Sequence, residues 1–238
     1  MCDTSKKGTL MFVVGVLLSV VMLTSGITSV SADDRQDATQ LVDKARFALE
    51  SFMSDKNMEA FHDLVKQAKG LLITPQLLKG AFIFGASGGT GVFVARDEKT
   101  GQWTGPSFHT TGGASFGLQI GGQASEVFLV AMTQRGVTTL LSNSIKLGAD
   151  VGLAAGPVGA GVQASSANLS ADILSFARSK GLYGGISLDG AVVDVREGLN
   201  EAYYGKKVTP TDIFIRHAVS NPHSAGLIQA VEKATGHQ

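Results

Sequence analysis

The sequence predicts an α+β domain in which a strongly coiled antiparallel β-body, or a small barrel, is enclosed by N-terminal and C-terminal helices. Of the 30 glycines in 238 residues, 24 lie between Gly80 and Gly205, among short runs of β-branched and aromatic residues. Glycine weakens a strand and is kept where strands bend sharply or another backbone approaches closely, as coiled sheets and small barrels require. Both flanks instead show helical periodicity. This order of elements is typical of an α+β fold.

Apolar residues at helical spacing predict a first helix over 34–52 and a second over 58–69, with Gly70 expected just after its C-terminus. A short helix is predicted over 134–142. In the tail, Thr209 can cap a helix over 210–218 that has Pro210 at its first position. Asn221 begins the last helix, which we expect to run to Lys233.

Strand-like runs occupy residues 79–86, 90–96, 107–113, 116–121 and 126–132. Between the second and third, Asp97 to Gly101 has the composition of a hairpin, with Gly101 where a positive φ is needed. Period-two alternation predicts two more strands over 146–154 and 158–164, joined by a hairpin at 155–157. Residues 184–188 and 191–195 are predicted to form a last pair.

The N-terminus has the features of a secretory signal peptide. Lys6 and Lys7 precede an apolar run over 10–23, and small residues lead to Ala32. This pattern predicts cleavage after Ala32, which divides the chain into a signal peptide over 1–32 and a single domain over 33–238. The alternative is a retained N-terminal membrane anchor, although the run is shorter than the roughly 20 residues that span a bilayer. The predicted location is therefore exported, periplasmic or secreted.

The mature chain would have no cysteine, because Cys2 is the only one. This excludes disulfides and thiol chemistry and suits a bacterial envelope. Removing Lys6, Lys7 and Asp3 from 20 bases and 20 acids leaves 18 and 19, a net charge of about −1. A chain with this balance has no global field to hold nucleic acid. We therefore expect no nucleic-acid partner, and any anionic partner must be held by a local patch.

The stretch Gly85-x-Ser87-x-Gly89 matches the nucleophile elbow of serine hydrolases. That elbow needs a strand, a tight turn and then a helix, whereas glycines and a β-type run follow Ser87 and have poor helix propensity. We therefore predict that Ser87 lies in a strand turn without a chemical role. Phosphate-binding glycine motifs and metal-ligand histidine spacings do not occur either. The sequence predicts no enzyme, no cofactor and no metal.

Four basic residues at strand or hairpin ends could form one anion-binding site at a rim of the β-body. They are Lys79, Lys146, Arg178 and Lys180. The alternative is that these are scattered surface charges. Trp103 is a candidate lipid or membrane-interface contact, or else a core or hairpin aromatic. Lys206 and Lys207 lie outside the proposed rim.

A series of short motifs occurs in a fixed order along the chain. It comprises Leu72-Ile-Thr-Pro75, Leu78-Lys-Gly-Ala-Phe82, Gly88-Gly-Thr-Gly91, Trp103-Thr-Gly-Pro106, Gly112-Gly-Ala-Ser-Phe-Gly-Leu-Gln-Ile-Gly121, Lys146-Leu-Gly-Ala-Asp150, Ala155-Gly-Pro157, Ser175-Phe-Ala-Arg-Ser-Lys-Gly-Leu182, Gly190-Ala191 and Tyr203-Tyr-Gly205. The series resembles the SYLF domain family, whose eukaryotic members include yeast cortical-actin proteins. An exported copy is similar to the family's bacterial branch. The resemblance implies a non-enzymatic module that binds phosphoinositides or other acidic phospholipids of a membrane.

In eukaryotic relatives, membrane contact is associated with an amphipathic N-terminal helix and basic residues. The matching helix here carries three bases against four acids, which does not make a basic amphipathic anchor. These residues are Arg35, Lys44, Arg46, Asp34, Asp37, Asp43 and Glu50. Actin is not expected as a partner of an exported protein. Two hypotheses follow: a lipid-binding module of the envelope, or a structural domain that contacts an envelope protein.

Overall fold

Helices flank a central sheet in the computed structural model, which describes residues 32–81, 84–116, 121–157, 170–179, 182–184 and 188–236. The helices are α1 (Ala32–Ser54), α2 (Glu59–Val65), α3 (Gln134–Leu140), α4 (Glu197–Tyr204), α5 (Pro210–Phe214) and α6 (Ala225–Thr235), with single 3₁₀ turns at Lys56–Met58 and Pro222–Ser224. The predicted signal peptide and the strand predicted over 158–164 lie outside the described residues. None of the described helices is long and apolar enough to span a bilayer.

The strands form one curled sheet. They are β1 (Gly70–Ala81), β2 (Phe84–Arg96), β3 (Trp103–Phe116), β4 (Gly121–Ala131), β5 (Ser144–Lys146), β6 (Leu153–Ala155), β7 (Ile173–Ser179), β8 (Leu182–Gly184) and β9 (Val192–Val195). The order across the sheet is β5-β9-β3-β2-β1-β4-β7-β6, with β8 also paired to β7. These elements confirm the predicted α+β class. The sheet is mixed rather than wholly antiparallel, because β6 and β7 are parallel.

The second helix ends earlier than predicted, and Gly70 opens β1 instead of terminating a helix. The reason lies in hydrogen bonds to distant residues. Lys69 donates to the carbonyl of Ala131 and accepts from the amide of Arg96. These two bonds place the chain in the sheet between β2 and β4. The helical spacing of apolar residues cannot predict them, because their partners are distant in sequence.

Strand β1 carries a bulge in its middle. Its register shifts between Ile73 and Leu78 against β2 and between Thr74 and Leu77 against β4. Pro75 lies inside the shifted stretch, where its missing N–H removes no ladder hydrogen bond. Side chains alternate between the two faces along a strand. The bulge interrupts this alternation, so each side chain after it lies on the face opposite to the one that a regular strand would give.

The hairpin at 97–101 is confirmed, and Gly101 has the expected positive φ of 73°. The hairpin predicted at 155–157 stays a prediction, because its second strand lies outside the described residues; β6 pairs with β7. The last predicted pair was wrong, because β9 pairs with β3 and β5 rather than with residues 184–188. Period-two alternation defines the two faces of a strand but carries no information about its neighbours.

Two apolar layers cover the two faces of the sheet. On one face, here called the α1 face, residues of α1, α2, α4 and α6 pack against Ile73, Val92 and Phe128. On the other, the α5 face, residues of α3 and α5 pack against Leu72 and Phe93. Residues Asp33–Gln238 form one compact unit.

Candidate functional site

Three of the basic residues singled out by the sequence, Lys79, Lys146 and Arg178, do not meet at one rim. Arg178 on β7 is the register partner of Glu126, so these two side chains share a face of the sheet. Two residues along β4, Ala124 shares that face and pairs with Leu78. Lys79, next to Leu78, therefore lies on the opposite face from Arg178. Lys146 on β5 is separated from β1 by three strands, and Lys180 lies outside the described residues.

Arg178 is an internal ion-pair partner rather than an anion receptor. Its Nε donates a 2.8 Å hydrogen bond to Glu126 Oε2, and its Nη2 donates one of 2.8 Å to Ser51 Oγ. Its Nη1 lies 3.4 Å from Asp55 Oδ2, and the guanidinium stacks over Phe52 at 4.8 Å. The side chain is only 16% exposed. Arg178 thus joins the end of α1 to β4 and β7.

Trp103 is buried in the apolar layer of the α1 face, with 5% of its surface exposed. Its indole N–H has no hydrogen-bond partner among the described residues. This burial favours the core alternative for Trp103 over a surface contact with lipid.

A groove of about 710 Å³ opens between α1 and the bulge of β1. We call it the helix groove; its lining comprises Lys44, Phe47, Ala48, Ser51, Pro75, Gln76, Ala124, Ser125, Glu126 and Arg178. Phe47 lines the helix side of the groove and is 55% exposed, and Leu78, whose register partner Ala124 lines the groove, is 54% exposed. These two side chains are called the groove rim. The helix groove therefore combines a charged floor with an apolar edge.

A second surface lies on the loop that holds α5. Ile215 follows this helix and is 61% exposed, more than Phe47 or Leu78. It is flanked by Arg216, and Lys206 and Lys207 precede the helix, all three with exposed side chains. Lys206 Nζ donates to the carbonyl of Ala218 at 3.3 Å, which ties the two ends of the loop together. Lys206, Lys207, Ile215 and Arg216 are called the basic corner.

The local fold holds the basic corner in place. Thr209 and Asp212 form a capping box at the start of α5, with Pro210 in the first turn. Hydrogen bonds from Thr209, and then from Arg216, lower the pKa of Asp212 to about 2. This carboxylate therefore stays ionised and bound to these two residues. His217 Nε2 lies 3.2 Å from Asp97 Oδ2 of the 97–101 hairpin. The acids beside the basic corner are thus engaged within the domain.

A buried polar row runs along β3 on the α5 face. Ser107 Oγ and His109 Nε2 are 2.7 Å apart and form a hydrogen bond, and both residues are buried. Burial lowers the pKa of His109 to about 4, so the imidazole is neutral at physiological pH. In the part of the chain that the structure describes, His109 Nδ1 and Thr111 Oγ1 have no hydrogen-bond partner. The burial of this serine–histidine pair leaves it out of reach of a substrate.

Ser87 lies inside β2 rather than in the predicted turn. Its hydroxyl donates to the carbonyl of Gly113 at 3.3 Å, which is an ordinary cross-strand contact. No helix follows it, so the geometry of a nucleophile elbow is missing at this serine. Within the ranges that the structure describes, no group of three or more His, Cys, Asp or Glu side chains could hold a metal ion.

Sequence reasoning missed the basic corner and placed Lys206 and Lys207 outside the candidate site. A usable signal was present, because an adjacent lysine pair and an Ile215-Arg216-His217 run enclose a helix of five residues. Sequence spacing alone did not bring the two runs together. The Lys206–Ala218 hydrogen bond and the capping box do so in the folded chain.

Comparison with known proteins identifies related chains. The sequence profile of the Ysc84 family, described as "Las17-binding protein actin regulator", matches residues 112–234, just over half of the chain. The chain is 35% identical over 151 residues to LAS seventeen-binding protein 3 of Saccharomyces cerevisiae, covering 62% of this chain and 32% of the relative. It is 32% identical over 174 residues to Protein YSC84 of the same yeast, covering 71% and 36%.

A human relative, SH3 domain-containing YSC84-like protein 1, is 30% identical over 152 residues, which cover 63% of this chain and 44% of the relative. The chain therefore spans about a third to a half of the length of these relatives. The family description refers to binding and to actin regulation, and the name of the first relative refers to binding. They do not name enzymes.

Proposed function

The chain belongs to the Ysc84, or SYLF, family, and on that premise we propose that it is a non-enzymatic domain that binds acidic phospholipid through the basic corner. The observation that carries the proposal is the exposure of Ile215 beside Lys206, Lys207 and Arg216. An exposed apolar side chain on a loop that also carries exposed bases is the combination that interfacial membrane contacts use. The apolar group enters the interface while the bases meet the head groups.

The expected strength follows from the charges. Each base near an acidic surface contributes about 1 kcal/mol, screened within a Debye length of about 8 Å at physiological ionic strength. Arg216 is paired with Asp212 at 2.7 Å, so the attraction comes from Lys206 and Lys207, which contribute on the order of 2 kcal/mol, to which the burial of Ile215 adds. Because the net charge of residues 33–238 is close to zero, attraction must come from this local patch.

Co-sedimentation of residues 33–238 with vesicles tests the proposal. Vesicles of phosphatidylcholine alone are compared with vesicles that also contain phosphatidylglycerol. Reversing Lys206 and Lys207 to Glu should weaken binding to the acidic vesicles at least about tenfold, since every 1.4 kcal/mol is a factor of ten. Added salt should weaken binding of the parent in the same direction.

The matched control reverses Lys79 and Lys146 to Glu, with the same change of charge. These two lysines were predicted from sequence to form the site, but the structure separates them by three strands. Equal loss in both variants would indicate diffuse surface charge and contradict the basic corner. Absence of binding by the parent to any acidic vesicle would overturn lipid binding altogether.

A protein-interaction domain is the second candidate function. The relatives carry names such as Las17-binding and actin regulator, and the helix groove offers a cleft of suitable size. This reading would be favoured if the parent bound no vesicles.

We also propose that the domain works in the cell envelope after export. The support is the leader-like sequence over residues 1–32. N-terminal analysis of the exported protein should find Asp33 first. A chain that keeps the apolar run over 10–23 would instead be membrane-anchored.

A further inference from the structure

A histidine with an unusual backbone conformation lies at the edge of the basic corner. His217 directly follows Arg216 and has a positive φ of 48°, a left-handed conformation that residues other than glycine rarely adopt. The next residue fixes this turn, because the amide of Ala218 donates to the carbonyl of Asp212 at 2.8 Å and its carbonyl accepts from Lys206 Nζ at 3.3 Å. His217 is therefore held by the same loop that carries the basic corner.

The imidazole of His217 lies against the hairpin at 97–101. Its Nε2 is 3.2 Å from Asp97 Oδ2. The other carboxylate oxygen, Oδ1, accepts hydrogen bonds of 2.7 to 2.9 Å from the amides of Lys99 and Thr100 and from the Thr100 hydroxyl. One oxygen of Asp97 thus serves the hairpin, and the other serves His217.

The pair of Asp97 and His217 can change its net charge. Hydrogen bonds from Thr100, and then from Lys99, keep the pKa of Asp97 below its ordinary value, so the carboxylate stays ionised in mild acid. The His217 side chain is 48% exposed and exchanges protons with water, and histidine changes its charge between about pH 5 and pH 8. The pair therefore carries one negative charge while the imidazole is neutral, and no net charge once it is protonated.

The charges around this pair determine the effect of a proton. The charged groups on the two elements that meet at His217 are Arg96, Asp97, Glu98 and Lys99 at the hairpin, and Lys206, Lys207, Asp212 and Arg216 at the loop that holds α5. These five bases and three acids give a net charge of +2. A proton on His217 raises this to +3, because it offsets the carboxylate of Asp97, which otherwise repels an anionic surface.

We propose that the basic corner is a pH-sensitive lipid contact, in which protonation of His217 strengthens binding to acidic phospholipid. The inference rests on the proposed function of the basic corner and adds the regulation of that site. The hydrogen bond from Lys206 to Ala218 keeps the new charge beside the lysine pair. One additional charge near an acidic surface corresponds to about a fivefold gain in affinity, or roughly 1 kcal/mol.

Co-sedimentation at about pH 7.5 and about pH 5.5 tests the proposal on residues 33–238, which form a compact unit. The vesicles contain phosphatidylcholine and phosphatidylglycerol, whose phosphate stays ionised at both pH values, and the ionic strength is held constant. The parent should bind about fivefold more tightly at the lower pH. His217→Asn removes the titrating group, while asparagine tolerates the left-handed backbone and donates a neutral hydrogen bond. This variant should match the parent at the higher pH and gain nothing at the lower one.

Two further variants separate the charge of His217 from other effects. His217→Lys carries a permanent charge and should bind at the higher pH about as tightly as the parent does at the lower pH. His223→Asn is the matched control, because His223 also lies beside a carboxylate, that of Asp43 on α1, at 3.5 Å. This control should keep the gain. His109 adds no charge to the folded domain at about pH 5.5, since burial lowers its pKa to about 4.

The outcomes distinguish this regulation from lipid binding itself. Equal binding of the parent at both pH values, or a gain that persists in His217→Asn, would overturn the pH sensitivity and leave the lipid contact in place. Equal loss of the gain in the His223 control would assign it to overall charge and contradict the role of His217. Thermal melts show whether each variant is folded. If His217→Asn is not, a gain that persists in His217→Lys would overturn the proposal. No binding by the parent at either pH would overturn both proposals.

Discussion

Arg178 on β7 and Glu126 on β4 are register partners whose side chains form an ion pair, with a 2.8 Å hydrogen bond from Arg178 Nε to Glu126 Oε2. The same guanidinium reaches Ser51 and Asp55 at the end of α1. One cation thus connects three elements of the fold. A residue selected from sequence as a lipid contact has a structural role.

Replacing Arg178 with Met should destabilise the domain by about 2–4 kcal/mol, because the partly buried carboxylates of Glu126 and Asp55 lose the guanidinium that they share. The measurement is the midpoint of urea unfolding at neutral pH. Lys79→Met is the matched control and should change stability by less than about 0.5 kcal/mol, as surface substitutions do. Equal midpoints for the two variants would show that the ion pair adds nothing.

Gly89 and Gly88 are neighbours on β2 with opposite tolerance for a side chain. A Cβ at Gly89 would lie 2.5 Å from the carbonyl oxygen of Gln76 in the bulge of β1, whereas a Cβ at Gly88 would meet nothing within 4 Å. Gly89→Ala should therefore cost about 1–3 kcal/mol through overpacking. Gly88→Ala should leave the stability nearly unchanged. Equal melting temperatures for the two variants would contradict this difference.

The bulge also explains why glycine occupies position 89. At Gly89 the close approach of another backbone is the physical reason for glycine.

His109 should make the domain less stable as the pH falls from about 6.5 to about 4. Burial lowers its pKa from 6.5 to about 4, so in this window the unfolded chain binds a proton that the folded chain does not. The free energy of unfolding therefore decreases progressively between pH 6.5 and pH 4, by an amount on the order of 3 kcal/mol. Below the folded pKa this contribution levels off.

The check is the unfolding free energy of the parent and of His109→Gln at several pH values. Carboxylates and the other histidines titrate in both proteins, so the difference between the two curves isolates His109. The advantage of the parent should shrink toward acid pH. Parallel curves would contradict a neutral, buried imidazole.

Ser87→Ala should leave stability and vesicle binding nearly unchanged, because the hydroxyl makes a single 3.3 Å contact with the carbonyl of Gly113. A fluorophosphonate probe gives the decisive measurement. Covalent labelling that disappears in the alanine variant would restore the hydrolase interpretation.

The sequence by itself determined the α+β class, helix α1, the hairpin at 97–101 and the capped start of α5. Each of these depends on local chemistry: apolar spacing, a glycine at positive φ, or a threonine before Pro210. The ordered motifs also led to the family, because they are read directly from the chain.

Tertiary structure alone decided which strands pair and which charges are free. The basic residues at 79, 146 and 178 look equivalent in sequence, yet the bulge of β1 sends Lys79 to the face opposite Arg178. Arg178 is ion-paired because the strand register places Glu126 beside it and the end of α1 places Asp55 nearby. The hydrogen bond from Lys206 to Ala218 closes the loop that carries both the lysines at 206 and 207 and Ile215. Partners distant in sequence set these outcomes, and local patterns do not encode them.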